Sequence, residues 1–366
     1  MKKALLPLLL ALSLLLSFSP AALGEELTQE EGLIDAAYLT DWVEEYRRGQ
    51  NLNQEWQDLS IGFCYTATGE TWYYDPDLFM YSASLYKVPV CMLMGQREVA
   101  GEFTAQDTIQ GSNIQYLEEC ALIHSNNDYG HLLASFLGGG YISKCSEQAA
   151  ALTDLPADYF PREFYDSSYY SARFMTQVME TLYQGGEEQF PRVIDSLLQA
   201  QPEEYLNLTL KDRFPVAQKY GAYMQDIGYN NNHIAAIIYT PHPIIVVIMT
   251  RNVGNYQYHI ATIGAFLADY ALQLDAELEA REKAAAAATP TPEPTPEPTP
   301  VPSPSPAPTE APASELTPTP VPAPVPVSGS ASLPFGLYVI LAGLVLMAIP
   351  ILSHALRHAR RKASRR

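Results

Sequence analysis

Ser84 and Lys87 lie three residues apart at the start of an amphipathic segment, and on a helix this spacing places two side chains on one turn. A serine hydroxyl is a weak nucleophile at neutral pH, but a partly desolvated lysine within hydrogen-bond reach can lose its proton and act as its base. The pair therefore predicts covalent catalysis, with Ser84 attacking a carbonyl carbon. Because such a pair also arises by chance, the interpretation depends on further motifs.

Two later segments supply them. Ser125-Asn126-Asn127 follows an apolar stretch that predicts a helix, and Lys219-Tyr220-Gly221 opens a run that predicts a strand. In order and character, these segments and the serine-lysine pair resemble the three motifs of the class A β-lactamases and penicillin-binding proteins. The resemblance covers about residues 34 to 283. It implies a serine hydrolase that forms an acyl-serine intermediate.

The resemblance also implies a role for each motif residue. Ser84 is the nucleophile and Lys87 its base, while the backbone amides of Ser84 and Ala222 bind the oxyanion. Ser125 relays a proton to the leaving nitrogen, and Asn127 orients Lys87 or the substrate.

The third motif is expected to contact the substrate. By its charge, Lys219 holds Ser125 and the substrate carboxylate, and Tyr220, Gly221 and Ala222 complete the binding strand.

The chain departs from the family pattern at three places. Asn126 replaces an aspartate, and Tyr220 replaces the threonine or serine whose hydroxyl binds the substrate carboxylate. A Glu-x-x-x-Asn pattern for activating the deacylating water is missing between residues 155 and 170. The acidic candidates there are Asp158, Glu163 and Asp166, of which we favour Glu163.

The order of elements predicts an α+β fold. Helices are expected at 34–48, 84–98, 116–136, 143–153, 171–184, 189–200 and 256–283, and strands at 59–67, 70–75, 216–226, 233–240 and 243–251. Strands at both ends of the domain imply one antiparallel sheet, flanked by the terminal helices, with an all-helical cluster inserted between its halves.

The segments outside this domain predict export and tethering. Residues 1–24 have the charged start, apolar core and small-residue end of a signal peptide, and a short segment, 25–33, follows. Residues 284–331 form a proline-, threonine- and glutamate-rich stalk, of which the 43 residues from 289 onward span up to about 130 Å when extended. Residues 333–352 carry no charge and are long enough for a transmembrane helix. The basic tail at 353–366 then lies in the cytoplasm, and the catalytic domain is extracellular.

Charge and cysteine content limit the partners. The formal net charge is −19, and eight of the 22 basic residues lie in the signal peptide and tail, so the exported part is strongly acidic. Such a surface argues against nucleic acid as a partner. Cys64, Cys91, Cys120 and Cys145 show no metal-ligand spacing, so we expect neither a metal nor another cofactor. A Cys91–Cys120 disulfide and buried free thiols remain alternatives.

Three functions remain open at this stage. The first is a class A-like β-lactamase, and the second is a peptidoglycan D,D-peptidase that cuts stem peptides with the same residues. The third is a binding module that is acylated without turning over, although the tail of 14 residues is too short to fold as an output domain. For each of these functions, we expect a monomer that binds a small β-lactam or a peptidoglycan stem peptide.

Overall fold

The computed structural model describes residues 32–224 and 229–288. The predicted signal peptide, the stalk beyond residue 288, the apolar segment 333–352 and the basic tail lie outside the described residues. Within the described part of the chain, no helix is both long enough and apolar enough to cross a membrane.

Five strands form the main sheet, and four short strands form two small ladders. The strands are β1 Asp58–Tyr65, β2 Glu70–Tyr74, β3 Met80–Tyr81, β4 Thr108–Ile109, β5 Ser112–Asn113, β6 Tyr169–Tyr170, β7 Val216–Met224, β8 Asn230–Ile238 and β9 Ile244–Arg251. The main sheet is antiparallel in the order β2-β1-β9-β8-β7, so strands from the two ends of the domain pair at its centre. The predicted sheet is confirmed.

Helices cover both faces of this sheet. They are α1 Ala36–Gly49, α2 Lys87–Val99, α3 Ile114–Leu122, α4 Asn127–Phe136, α5 Ser146–Ala150, α6 Arg162–Ser167, α7 Ala172–Gln189, α8 Val193–Gln199, α9 Asn207–Leu210 and α10 Tyr256–Ala288. Two short 3₁₀ turns, Ala83–Tyr86 and Ala157–Tyr159, complete the described elements.

The alternation of side chains along the central strands builds two cores. In β9, Ile245, Val247 and Met249 face the core formed with the central helices, including α2 and α7. The intervening residues Ile244, Val246 and Ile248 face the core formed with α1 and α10. Because successive side chains of a strand point to opposite faces, an almost wholly apolar strand requires cover on both sides.

The terminal helices supply the cover on one side. Trp42 of α1 stacks on Phe266 of α10 with ring centroids 3.6 Å apart. The chain is held at the start of α1 by Glu70, whose carboxylate accepts hydrogen bonds from the backbone amides of Leu33 and Ile34 at 2.9 Å. The last helix runs past the predicted end at 283 because the alanine run up to Ala288 favours helix.

The helix predicted over 116–136 is instead two helices. The chain breaks between α3 and α4, where Ser125 adopts a left-handed backbone conformation with φ of +53°. Asn126 is the N-cap of α4, and its side chain accepts the amide hydrogen of Tyr129 at 3.1 Å. Short polar side chains that bond to the backbone favour such caps over helix interiors, which explains the break.

The four cysteines are buried free thiols in the structure. Of the two alternatives left open by the sequence, the Cys91–Cys120 bridge is therefore not formed. Cys91 lies wholly inside the core between α2 and its neighbours, and burial raises the pKa of its thiol well above the ordinary value.

Candidate active site

The 3₁₀ turn before α2 sets Ser84 against Lys87. Side chains three residues apart eclipse each other on a 3₁₀ turn, and the distance between Lys87 Nζ and Ser84 Oγ is 3.0 Å. Ala83, directly before the serine, has a φ of +49°. Such a conformation is costly for a residue with a β-carbon, and the surrounding contacts must hold it.

Lys87 is wholly buried and has polar partners on the break between α3 and α4. Its Nζ lies 2.6 Å from the Ser125 carbonyl oxygen and 2.8 Å from Asn127 Oδ1. A neutral amine has two hydrogens and one lone pair. If these two oxygens take the hydrogens, the lone pair is left for the hydroxyl of Ser84, which is the arrangement that a base requires.

The electrostatics favour this neutral form. Burial, reinforced by the nearby charge of Lys144, lowers the pKa of Lys87 to about 7. Near neutral pH a large share of Lys87 is therefore unprotonated and able to accept the proton of Ser84.

The side chain of Ser125 also lies near the amine of Lys87. Its Oγ lies 3.3 Å from Lys87 Nζ, and its left-handed backbone directs its carbonyl oxygen to that amine as well. The structure thus brings Ser84, Lys87, Ser125 and Asn127 together, and the catalytic roles of these residues stay predictions.

Strand β7 lies against the 3₁₀ turn that carries Ser84. Gly221 approaches the turn so closely that a β-carbon there would lie 2.9 Å from the backbone nitrogen of Ser84 and 3.3 Å from the Ser82 carbonyl oxygen. Only glycine permits this approach, which brings the edge of the sheet beside the nucleophile. Ala222, the next residue, lines the adjoining cavity.

Lys219 lies two residues before Gly221 on strand β7 and is fully buried. Its Nζ donates a hydrogen bond to the Tyr220 carbonyl oxygen at 3.0 Å and lies 4.2 Å from the centroid of the Tyr220 ring. Burial, with a further contribution from Lys87, lowers the pKa of Lys219 well below its ordinary value. The predicted action of Lys219 by charge therefore requires a bound anion to stabilise its protonated form.

The structure does not bring the side chain of Tyr220 to the cavity. Its ring stacks on Tyr205 with centroids 5.5 Å apart, within the core on the α10 side of the sheet. Tyr220 is not among the described residues that line the cavity, so the structure does not place its hydroxyl where the third motif ordinarily has one. The grouping of Tyr220 with the substrate-binding residues stays a prediction.

A cavity of about 230 Å³ opens in front of Ser84. It is lined by Tyr81, Ala83, Ser84, Tyr86, Asn127, His131, Tyr141, Ile142, Lys144, Ala222 and Tyr223. Aromatic rings dominate this set, and none of these described lining residues is acidic.

Lys144 is a lysine of the cavity that the sequence motifs do not predict. It is 3% exposed, and its Nζ donates a hydrogen bond to the Tyr81 hydroxyl at 2.8 Å. The amine also lies 4.5 Å and 4.4 Å from the ring centroids of Tyr81 and Tyr86. Burial lowers its pKa to about 8. The glycine run 138–140 signals a loop here, but nothing in its pattern indicates that the loop reaches the nucleophile.

Ser168 holds this loop in place. Its hydroxyl lies 2.8 Å from the Ile142 carbonyl oxygen and 2.9 Å from that of Ser143, and its own carbonyl oxygen accepts the amide hydrogen of Ser82 at 3.0 Å. The segment that carries Lys144 is thus tied to the segment that carries the nucleophile.

Glu163 lies away from the cavity. It is an exposed residue of α6 and is not among the cavity-lining residues. Asp158 is also exposed, and Asp166 pairs with Arg162 at 2.7 Å. The structure thus does not place Glu163 at the cavity, where a base must reach the water that it activates, and its role in deacylation stays a prediction.

Metal ligands do not cluster in the described residues, where no group of three or more histidine, cysteine, aspartate or glutamate side chains is placed to hold an ion.

Comparison with known proteins shows which family and which fold the chain resembles. A model of the β-lactamase enzyme family matches residues 139–271, which include β7 to β9 and Lys219 but begin after Asn127. No curated protein matches the chain in sequence.

Solved structures show the same fold. An ancestral class A β-lactamase, of the last common ancestor of Gram-negative bacteria, has a TM-score of 0.53 at 19% identity and covers 63% of this chain and 99% of its own. The TLA-3 extended-spectrum β-lactamase has a TM-score of 0.54 at 13% identity, with 64% and 98% covered. A β-lactamase from Chitinophaga pinensis has a TM-score of 0.53 at 14% identity, with 64% and 99% covered. The predicted α+β fold is confirmed, and the family model over residues 139–271 agrees with the resemblance that the motifs indicate.

Proposed function

We propose that this chain, a member by fold of the serine β-lactamase and penicillin-binding protein superfamily, is an exported serine hydrolase that cleaves β-lactam-like amides through an acyl-serine. The observation that carries the proposal is the distance of 3.0 Å between Lys87 Nζ and Ser84 Oγ in a cavity wall where burial favours the neutral amine.

The acylation step follows from the contacts. Lys87 takes the hydroxyl proton as Ser84 Oγ bonds to the carbonyl carbon, and the backbone amides of Ser84 and Ala222 are proposed to receive the oxyanion. The proton then passes through Ser125, 3.3 Å from Lys87, to the leaving nitrogen as the amide bond breaks. The products are an acyl-serine, the freed amine and the original neutral Lys87.

Covalent labelling tests this step. The purified domain, residues 32–288, is incubated with a labelled penicillin and, separately, with a fluorophosphonate. The adducts are measured by intact mass. We expect one adduct per chain on the wild type and none on Ser84→Ala. Ser135→Ala is the matched control, because Ser135 is exposed and belongs to α4 without lining the cavity. An adduct on Ser84→Ala, or none on the wild type with either probe, would overturn the proposal.

A peptidoglycan D,D-peptidase is the second candidate function. Its support is the absence of an acidic residue among the described residues that line the cavity, because a β-lactam acyl-enzyme without an efficient water-activating carboxylate persists. Parallel assays with a chromogenic cephalosporin and a D-Ala-D-Ala peptide separate the two functions. Faster turnover of the peptide would favour the peptidase. An adduct that never turns over with either substrate would favour the acylated binding module.

We also propose that the domain is held outside the cell by the segment at 333–352, on a proline-rich stalk. Protease added to intact cells is expected to release an active soluble fragment that ends in the stalk, because the cut falls outside the folded core. Recovery of the intact protein from the cytoplasm after this treatment would contradict the proposed location.

A further inference from the structure

Hydrolysis of an acyl-serine requires a base for the attacking water, and no carboxylate belongs to the described residues that line the cavity. Lys144 and His131 line it, and Lys87 lies behind Ser84. The lining tyrosines are poor candidates, since burial raises the pKa of Tyr81 to about 12 and that of Tyr86 further.

Lys144 is held in the cavity by several independent contacts. Its backbone is in the left-handed region with φ of +49°, and Lys144 N donates to the Gly140 carbonyl oxygen at 2.9 Å. The side chain lies between two tyrosine rings and bonds to the Tyr81 hydroxyl. Among the ion pairs of the described residues, none involves Lys144, so no carboxylate keeps this amine charged.

The amine faces the same ring as the acylation base. Lys144 Nζ lies 4.4 Å from the centroid of the Tyr86 ring, and Lys87 Nζ lies 5.7 Å from it. Lys144 and Ser84 line the same cavity, and Lys87 Nζ lies 3.0 Å from Ser84 Oγ, so both amines neighbour the site where the acyl group would form. The charge of Lys144 also lowers the pKa of Lys87, so simultaneous protonation of the two amines is disfavoured.

From this geometry, we propose that Lys144 is the base that deprotonates the water hydrolysing the acyl-Ser84 intermediate. This inference rests on the proposed function. Its neutral amine takes one proton from water as the water oxygen bonds to the acyl carbon. The tetrahedral intermediate then collapses, the bond from the acyl carbon to Ser84 Oγ breaks, and Ser84 Oγ takes back a proton from the ammonium. A carboxylic acid leaves, and both side chains return to their starting forms.

His131 is the competing base. Its ring stacks on Tyr86 with an interplanar angle of 8° and lies 4.0 Å from the Tyr141 ring. Burial and the two lysines lower its pKa below the ordinary histidine value of 6.5. It is therefore the weaker base of the two, and the two assignments predict different pH profiles.

The pH profile depends on every titratable group around Lys144. These groups are Tyr81, Tyr86, Lys87, His131, Tyr141 and Tyr223. Burial raises the pKa of Tyr81 to about 12 and that of Tyr86 further, so these two neighbours of the amine stay neutral over the range of the test. Burial lowers the pKa of Lys144 to about 8 and that of Lys87 to about 7. Deacylation through Lys144 should therefore rise with pH and level off above about pH 8, whereas deacylation through His131 should level off below pH 6.5.

The test follows the acyl-enzyme formed with a chromogenic cephalosporin. Wild type, Lys144→Met, His131→Gln and the matched control Lys211→Met are acylated, and decay of the adduct is measured by intact mass between pH 5.5 and 9.5. Lys211 is exposed and does not line the cavity. We expect Lys144→Met to keep the stoichiometric burst while its adduct decays about 100-fold or more slowly than that of the wild type. Lys211→Met should decay at the wild-type rate, and the adduct of His131→Gln should keep a decay rate that rises with pH and levels off above about pH 8.

Several outcomes would overturn this assignment. One is a wild-type decay rate that is flat with pH or levels off below pH 6.5, a measurement that needs no variant to fold. Another is wild-type decay in Lys144→Met. A Lys144→Met protein that acylates slowly with penicillin but normally with the uncharged fluorophosphonate would make Lys144 a carboxylate-binding residue instead. Absence of any wild-type adduct would refute the proposed function itself, a distinct result.

Discussion

Gly221 passes so close to Ser84 that a β-carbon on the glycine would lie 2.9 Å from the serine's backbone nitrogen. The contact is with backbone atoms of a strained turn, which cannot move aside as a flexible side chain does. The edge strand and the nucleophile are therefore positioned as one unit.

This relationship predicts the effect of Gly221→Ala. The added methyl group should push β7 from the turn and slow acylation about 10-fold to 100-fold, since small displacements of reacting groups have effects of this size. Gly254→Ala is the control, because a β-carbon there meets nothing within 4 Å. The measurement is the rate of labelling by a fluorophosphonate. Unchanged labelling in a folded Gly221→Ala protein would show that the close approach is not needed.

The lowered pKa of Lys87 predicts how acylation depends on pH. The neutral amine is the active form, so the labelling rate should rise with pH and level off above about pH 7. At pH 6 it should be about tenfold below its plateau. Lys87→Arg should lose labelling at every pH, because a guanidinium is not deprotonated in proteins. A rate that falls with rising pH would contradict the assignment of Lys87 as the base.

Glu163→Gln should change neither acylation nor deacylation by more than about twofold, since substitutions of exposed residues have small effects. The burst and the steady-state turnover of a chromogenic cephalosporin are compared with those of the wild type. A slowed turnover with an intact burst would return Glu163 to the mechanism and would require α6 to approach the cavity.

His233 predicts a loss of stability in acid. Its Nδ1 accepts the amide hydrogen of Thr250 at 3.2 Å, so Nε2 carries the proton and donates to the Tyr81 carbonyl oxygen at 2.9 Å. Burial lowers its pKa to about 4. Because the folded state prefers the neutral ring, its contribution is present above pH 6.5 and is lost as pH falls toward 4.

The size of this effect is about 2 kcal/mol in the free energy of unfolding between pH 7.5 and pH 5. Urea unfolding of the wild type and His233→Gln at the two pH values measures it. The variant should be less stable than the wild type at pH 7.5 and should lose less stability on acidification. Equal losses in both proteins would show that His233 does not titrate in this range.

Much of the fold and half of the candidate site follow from local pattern. The spacing of Ser84 and Lys87 places them together on any tight helical turn, and the apolar runs of β8 and β9 require cover on both faces. The break at Ser125 was less predictable, because apolar residues on both sides continue a helical pattern and the cap at Asn126 competes with it only weakly.

The chemistry of the cavity was decided by tertiary structure. Whether an acidic residue in the 155–170 segment reaches the nucleophile depends on how the connecting loops fold, and the structure leaves Glu163 exposed. Lys144 instead enters the cavity because Ser168 ties its loop to the turn before Ser84. Burial between rings contributed by distant segments lowers its pKa and so favours the neutral amine that a base requires. Sequence determines which groups can titrate, but long-range packing determines which of them lose water and face the reacting atoms.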